Sequence, residues 1–110
     1  MQETLLVLTN VPDEAVAHAL ARRLVEHRLA ACVNVMPAVR SIYQWQGAIE
    51  EAAEVTMLVK TTPARYAELE AEIRTGHPYE VPEIIALPIV AGLPAYLGWI
   101  ASETRKDLNV

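Results

Sequence analysis

Two strand-like segments of this sequence are apolar on both of their faces. ETLLVLT, residues 3–9, is apolar at every position from Leu5 to Leu8, and EIIALPIV, residues 83–90, is apolar from Ile84 to Val90. Successive side chains of a strand point to opposite faces of the sheet, so strands of this kind need cover on both sides. Whatever fold the chain adopts must therefore cover both faces of its sheet.

Strand-like and helical patterns alternate along the chain and end in one further helix. Asp13 is a favourable N-cap for an amphipathic helix that ends near Arg28. Thr62, followed by Pro63, is the expected cap of a second helix, and Gly76 is its expected left-handed terminator. The predicted strands are residues 3–9, 30–36 continuing beyond Pro37 as 39–46, 54–61 and 83–90, and a third helix is predicted over residues 94–106.

The order of these elements is β-α-β-β-α-β followed by a C-terminal helix, which predicts an α+β, ferredoxin-like fold with an antiparallel sheet. In that arrangement the first and third strands are central, and the second and fourth lie at the edges. Pro37 interrupts the second strand and Pro88 lies within the fourth, whereas the first and third contain no proline. Proline cannot donate to a strand ladder, so these positions fit the predicted edges.

The chain has more apolar residues than one small core readily buries. Its 110 residues predict a single domain over 1–110, and 53% of them are hydrophobic. Two helices cover only one face of such a sheet. The candidates for covering the second face are the short third helix and the sheets of neighbouring copies, and the long hairpin formed by the second and third strands offers edges that could pair between chains.

Charge and motif content exclude several classes of function. The formal net charge is -5, with no long cluster of Lys or Arg, so we expect no nucleic-acid partner. The 18 residues from Ile84 to Ala101 carry no charge, but prolines and glycines interrupt them, so we expect no membrane span. The chain has no glycine-rich phosphate loop, nucleophile elbow, CxxC or HExxH, and we expect a protein that is not an enzyme.

The single cysteine and the N-terminal sequence indicate where the protein works. Cys32 cannot form an internal disulfide, and MQETLLVLTN has neither a basic start nor a long apolar signal core. We therefore expect a cytoplasmic location. A catalytic thiol needs a cationic neighbour to lower its pKa, and the sequence near Cys32 offers none, so we interpret this residue as inert core.

Five segments together resemble the CutA1 family of divalent-cation tolerance proteins. They are LAACVNVMP, SIYQWQG, EVTMLVKT, HPYEVP and YLGWI, and the resemblance extends from NVPDEA at residues 10–15 through Ile100. The resemblance implies a subunit similar to the PII signal-transduction proteins, assembled as a homotrimer with sheet pairing between subunits. It also implies a link to tolerance of copper and other divalent cations.

For metal binding, the resemblance implies the ligands His77 and Glu83 together with a cysteine near the end of the first strand. Thr9 occupies that place here, so the soft thiolate is missing and Cu(II) or Zn(II) would suit the site better than Cu(I). On an extended strand the two ligands would be about 20 Å apart, so chelation needs a bend or a second chain. The simpler interpretation is that His77 hydrogen-bonds locally and Glu83 blunts an edge strand.

Five aromatic residues suggest a second kind of site. The simpler interpretation is packing in the trimer, chiefly by Tyr96 and Trp99. The alternative is a cleft between subunits that binds a small ligand. That cleft would be lined by Tyr43, Trp45, Lys60 and Tyr79, with His77 and Glu83 beside them. Two functions therefore stay open: a trimeric protein that binds divalent ions such as Cu(II), and a PII-like signalling or scaffold module that binds a small molecule or a protein.

Overall fold

The computed structural model describes residues 3–106, and its element order is the one that the sequence predicts. An α+β, ferredoxin-like arrangement with an added C-terminal helix is confirmed. The elements are β1 (Leu5–Val11), α1 (Glu14–Glu26), β2 (Cys32–Trp45), β3 (Ala48–Thr61), α2 (Pro63–Gly76), β4 (Ile84–Pro88) and α3 (Pro94–Glu103).

The four strands form one antiparallel sheet in the order β2-β3-β1-β4. The central strands are β1 and β3, as the proline positions predict. The β2–β3 ladder breaks between Met36 and Val39, where Pro37 lies in a bulge, and Pro88 is the last residue of the edge strand β4. Both prolines therefore lie where a missing N–H disturbs the ladder least.

The hairpin of β2 and β3 is longer than predicted, because β3 begins at Ala48 rather than at residue 54. Only the second half of β3 pairs with β1, so residues 39–54 form an arm that is paired only with itself. The tip is a two-residue turn in which Gln46 and Gly47 have φ angles of 50° and 84°. Positive φ at both positions is the type I′ geometry that joins closely paired strands.

One face of the sheet is fully covered by α1 and α2, and we call it the helix-covered face. Alternate residues of β1 and β3 point to it, as in Val7, Val11 and Met57, which are fully buried. Asp13 caps α1, as predicted, by accepting a hydrogen bond of 2.9 Å from the Val16 N–H. The helices contribute Ala17, Leu20, Leu24, Leu69 and Ile73 to the same core.

The opposite face is only partly covered. We call it the open face, and its apolar residues are Leu6, Leu8, Leu58, Ile85 and Leu87. Ile85 and Leu87 are 49% and 44% exposed. Helix α3 covers one end, where Tyr96 lies against Cys32, and ten residues of helix cannot cover the rest. A single chain therefore satisfies one face of its sheet and leaves the other incomplete.

Two details at the ends of α2 differ from the prediction, although Thr62 is the N-cap and Pro63 begins the helix, as predicted. Gly76 belongs to the helix without a positive φ, and a Cβ at this position would lie 3.2 Å from Leu20 Cδ1. Its small size therefore permits close packing of α1 on α2, rather than a left-handed end. The Thr62 side chain makes no cap hydrogen bond; its hydroxyl is instead buried, 3.4 Å from the Thr104 hydroxyl.

The uncharged segment of residues 84–101 is divided between β4 and α3. Its glycines and prolines mark the break, as predicted. No helix within residues 3–106 is both long enough and apolar enough to cross a membrane.

Candidate functional site

The loop of residues 77–83 joins α2 to β4 and begins with a histidine whose ring is engaged on both sides. His77 is 8% exposed. Its Nε2 lies 2.7 Å from the carbonyl oxygen of Asn10, and its Nδ1 accepts a hydrogen bond of 3.2 Å from the Tyr79 N–H. An accepting Nδ1 assigns the proton to Nε2, which then donates to the carbonyl. The neutral imidazole thus fixes the exit of the helix against β1.

Asn10 connects both ends of this loop to the sheet. Its side-chain Nδ2 donates a hydrogen bond of 2.9 Å to Glu83 Oε1, and its Oδ1 accepts one of 2.6 Å from the Thr56 hydroxyl. The loop therefore bends, and His77 and Glu83 meet the same residue of β1, one at its backbone and the other at its side chain. Their assignment as metal ligands stays a prediction. Within residues 3–106, no group of three or more His, Cys, Asp or Glu side chains could hold a metal ion.

Between this loop and the hairpin arm lies a cavity of about 700 Å³, which we call the loop–hairpin cavity. The arm contributes two of the predicted cleft residues, Tyr43 and Trp45, and the loop contributes Tyr79. Three carboxylates line the same space. The complete lining consists of Asn10, Ser41, Ile42, Tyr43, Trp45, Glu54, Pro78, Tyr79, Glu80, Val81 and Glu83.

A tyrosine and a glutamate connect the two sides of the cavity. The Tyr79 hydroxyl donates a hydrogen bond of 2.8 Å to Glu54 Oε2, and Glu54 is 8% exposed. Burial, followed by the hydrogen bond and charge of Glu54, raises the pKa of Tyr79 from 10.0 to about 12. The hydroxyl is therefore protonated at neutral pH, and Glu54 receives a neutral donor rather than a cation. Sequence reasoning missed Glu54, because only the fold brings it to Tyr79.

The structure places Lys60 away from this cavity in a single chain. Lys60 pairs with Cys32 across β2 and β3, its Nζ lies 3.8 Å from the Cys32 Sγ, and it hydrogen-bonds Asn34 Oδ1. The absence of a cationic neighbour near Cys32 in the sequence is thus misleading, since the hairpin register brings a lysine beside the half-buried thiol. A cleft between subunits that includes Lys60 stays a prediction.

Tyr96 and Trp99, the predicted packing residues, lie on α3. Their rings are stacked, with centroids 5.6 Å apart, and both are about two-fifths exposed. Burial and the nearby Cys32 thiol raise the pKa of Tyr96. This pair is therefore separate from the cavity, at the end of the open face that α3 covers, and its role in trimer packing stays a prediction.

Comparison with known proteins gives the family. The family model described as CutA1 divalent ion tolerance protein matches residues 5–103, which is nearly the whole chain. The chain belongs to the CutA1 family. The resemblance that the sequence motifs carry is therefore confirmed, and a role of the CutA type follows from it.

Individual CutA relatives are similar in sequence to this chain over most of its length. The divalent-cation tolerance protein CutA of Thermus thermophilus is 50% identical over 99 residues, which are 90% of this chain and 96% of that protein. Protein CutA of Mus musculus is 49% identical over 89% of this chain, but that match spans only 55% of the mouse protein. This chain thus corresponds to nearly all of the bacterial relative and about half of the mammalian one.

Solved CutA1 structures share the fold throughout. The structure of the Thermus thermophilus protein has a TM-score of 0.91 at 48% identity and covers 93% of this chain and 99% of its own. The Oryza sativa structure has a TM-score of 0.92 at 35% identity and covers 96% and 97%. The similarity therefore extends over almost the whole of this chain.

Proposed function

We propose that the protein is a non-catalytic binding protein of the divalent-cation tolerance type, which acts as a homotrimer and binds its ligand in the loop–hairpin cavity. The observation that carries this proposal is a concave site lined by Glu54, Glu80 and Glu83, with no Lys or Arg among the residues that line it within the described chain. Such a site concentrates cations. The proposal includes a cytoplasmic location, which cell fractionation tests.

Assembly from identical copies is supported by the apolar surface that one chain exposes. Ile85 and Leu87 lie half exposed on the open face, and Ile42 and Ile49 are 66% and 72% exposed on the hairpin arm. Apolar surface of this extent is buried between subunits in soluble proteins. We expect sedimentation equilibrium to find trimers at low micromolar concentration, and a stable folded monomer would contradict this part of the proposal.

The proposed ligand is a divalent ion, with Cu(II) as the first candidate. Carboxylate oxygen and imidazole nitrogen, without a thiolate, suit Cu(II) and Zn(II). One carboxylate oxygen of Glu83 accepts a hydrogen bond from Asn10, and the other oxygen of the same carboxylate is the proposed ligand of the ion. His77 is not among the residues that line the cavity, and both of its ring nitrogens are engaged. An ion held by Glu83 would therefore bind His77 only if the Tyr79 N–H leaves Nδ1. A second copy of the chain would supply the remaining ligands.

Isothermal titration with Cu(II) and with Zn(II) tests this site. We expect one site per chain in the unaltered protein and loss of that site in His77→Ala and in Glu83→Gln. The matched control is His18→Ala, because His18 is exposed on α1 and belongs to no part of the loop. Binding that is unchanged in both loop variants would reject the assignment.

The second candidate is a PII-like signalling or scaffold module that binds a small molecule. The observation favouring it is the aromatic part of the cavity, namely Tyr43, Trp45 and Tyr79. Aromatic rings do not serve as ligands for divalent ions, whereas they commonly line pockets for organic molecules. A cavity of about 700 Å³ also falls within the range of small-molecule sites. Binding of an organic ligand that does not require a metal would support this candidate.

A further inference from the structure

Glu54 is a buried carboxylate with a neutral partner. The residue is 8% exposed, and its hydrogen-bond donor is the Tyr79 hydroxyl. None of the ion pairs formed within residues 3–106 includes it. A buried charge is normally paired with an opposite charge, because loss of hydration is costly. Glu54 borders the loop–hairpin cavity, so the cavity is where a compensating cation could bind.

The other groups around the cavity indicate which kind of cation would bind beside Glu54. Glu80 and Glu83 add two carboxylates, and the lining contains no cationic residue within the part of the chain that the structure describes. Tyr43 and Trp45 are 44% and 41% exposed, so part of each ring is open to solvent. Aromatic faces attract cations and also bind alkyl groups. Carboxylates beside open aromatic rings are the groups that recognise an alkylated ammonium ion.

We propose that the loop–hairpin cavity binds a small organic cation, an alkylammonium ion, with Glu54 as its charge partner and Trp45 and Tyr43 in contact with its alkyl groups. This inference rests on the proposed function only in taking this cavity as the ligand site. It differs from that proposal in the chemistry of the ligand. The rings contribute to binding here, whereas they would contribute nothing to binding a divalent ion.

Two other occupants require a second copy of the chain, whereas an organic cation does not. A metal ion needs several converging ligands, and within residues 3–106 one chain offers no group of three acidic, His or Cys side chains that could hold it. A Lys or Arg of a second copy could also enter. However, five of the nine Lys and Arg side chains are already in ion pairs within their own chain, which reduces the number available for such insertion.

Choline and its neutral analogue 3,3-dimethylbutan-1-ol, which has the same shape, are the probes for this test. Calorimetric titration of the metal-free assembled protein should show saturable choline binding at one site per chain. The neutral analogue should bind about tenfold more weakly or worse, since a charge-assisted contact is lost. Equal binding of the two probes, or no saturable binding of choline, would overturn the inference.

Three variants locate the choline site. Glu54→Gln keeps an acceptor for Tyr79 but removes the charge, and should weaken choline binding about tenfold or more. Trp45→Leu should weaken it about threefold to thirtyfold, the range of a cation–π contact. Glu51→Gln is the matched control, because Glu51 lies nearby on β3 and is paired with Arg40 rather than facing the cavity. Equal losses in all three variants would overturn the assignment.

The outcomes also separate this inference from the proposed function. If choline binds and Cu(II) does not, only the divalent-ion proposal is rejected. Cu(II) binding through Glu83 without choline binding would reject the organic-cation inference alone. Choline binding that appears only after the assembly is dissociated would show that a second copy occupies the cavity, which also overturns the inference for the assembled protein.

Discussion

The two faces of the sheet are built from the same strands but reach different degrees of burial. On the helix-covered face, Val7, Met57 and Val59 are fully buried under α1 and α2. On the open face, Ile85 and Leu87 are still half exposed, although their neighbours are equally apolar. The difference arises because two amphipathic helices cover one side, whereas the other side receives only the ten residues of α3. Completion of the open face therefore requires something beyond one chain.

The polar groups of the candidate site lie on the open side of the sheet. Along β3, Glu54, Thr56 and Leu58 alternate with the residues of the core and point to the open side. The loop reaches this side through Tyr79, which hydrogen-bonds Glu54. The helix-covered face thus supplies stability, and the open side carries both the unsatisfied apolar surface and the cavity.

The largest expected effect is on the helix-covered face. Leu69 is fully buried in the core, so Leu69→Ala should lower the free energy of unfolding by about 3 kcal/mol. Leu87→Ala removes the same atoms from a position that is half exposed within one chain, and should cost less than about 1 kcal/mol apart from its effect on assembly. Urea unfolding of both variants over a range of protein concentrations measures this. Equal losses of unfolding free energy in the two variants at the lowest protein concentration would show that the two faces do not differ in burial.

Assembly is the next effect in size. Ile85→Lys introduces a charge on the open face and should raise the dissociation constant of the assembly about a hundredfold, because the interface would bury an unpaired ammonium. Sedimentation velocity over a dilution series measures the change. Val25→Lys is the control, since Val25 is 43% exposed on α1, away from the open face. An Ile85→Lys protein that assembles like the unaltered one would show that copies meet elsewhere.

The order of the strands could be predicted because the β-α-β-β-α-β order of elements indicates the ferredoxin-like fold, and local chemistry agrees with it. Proline removes a ladder donor wherever it occurs, so Pro37 and Pro88 identify edge strands without any knowledge of tertiary contacts. The cap at Asp13 is equally local, because its hydrogen bond reaches only three residues along the chain. Thr62 shows the limit of such reasoning. A tertiary neighbour, Thr104, lies near the hydroxyl that the local pattern assigns to a cap.

The candidate site could be predicted only in part, because its contacts join distant segments. Tyr43, Trp45 and Tyr79 are visible in the sequence as rare aromatics, and the structure does bring them to one cavity. Asn10 is 67 residues from His77 and 73 from Glu83, and nothing in its sequence neighbourhood indicates that it bonds to both. Lys60 illustrates the same point, since the hairpin register and its bulge place it beside Cys32.

The smallest expected effect concerns the contact between Tyr79 and Glu54 at the boundary of the two regions. Tyr79→Phe removes the donor and leaves a buried carboxylate without it, which should cost about 1 kcal/mol at pH 7 because the tyrosine is partly exposed. The folded-state pKa of Tyr79 is raised, so its contribution is fully present below pH 10 and is lost as the pH rises towards 12. The difference in unfolding free energy between the two proteins should shrink over that interval.

Alkaline titration of tyrosine absorbance checks the assignment of this shift. Tyr79→Phe should remove the step at about pH 12, and Glu54→Gln should lower the pKa of Tyr79 only part of the way to 10.0, since burial, the largest cause of the shift, remains. If the step at about pH 12 persists in Tyr79→Phe, the high pKa belongs to another tyrosine and the contact between Tyr79 and Glu54 does not connect the loop to the hairpin arm. The contrast between the two sides of the sheet would then rest on apolar surface and not on this contact.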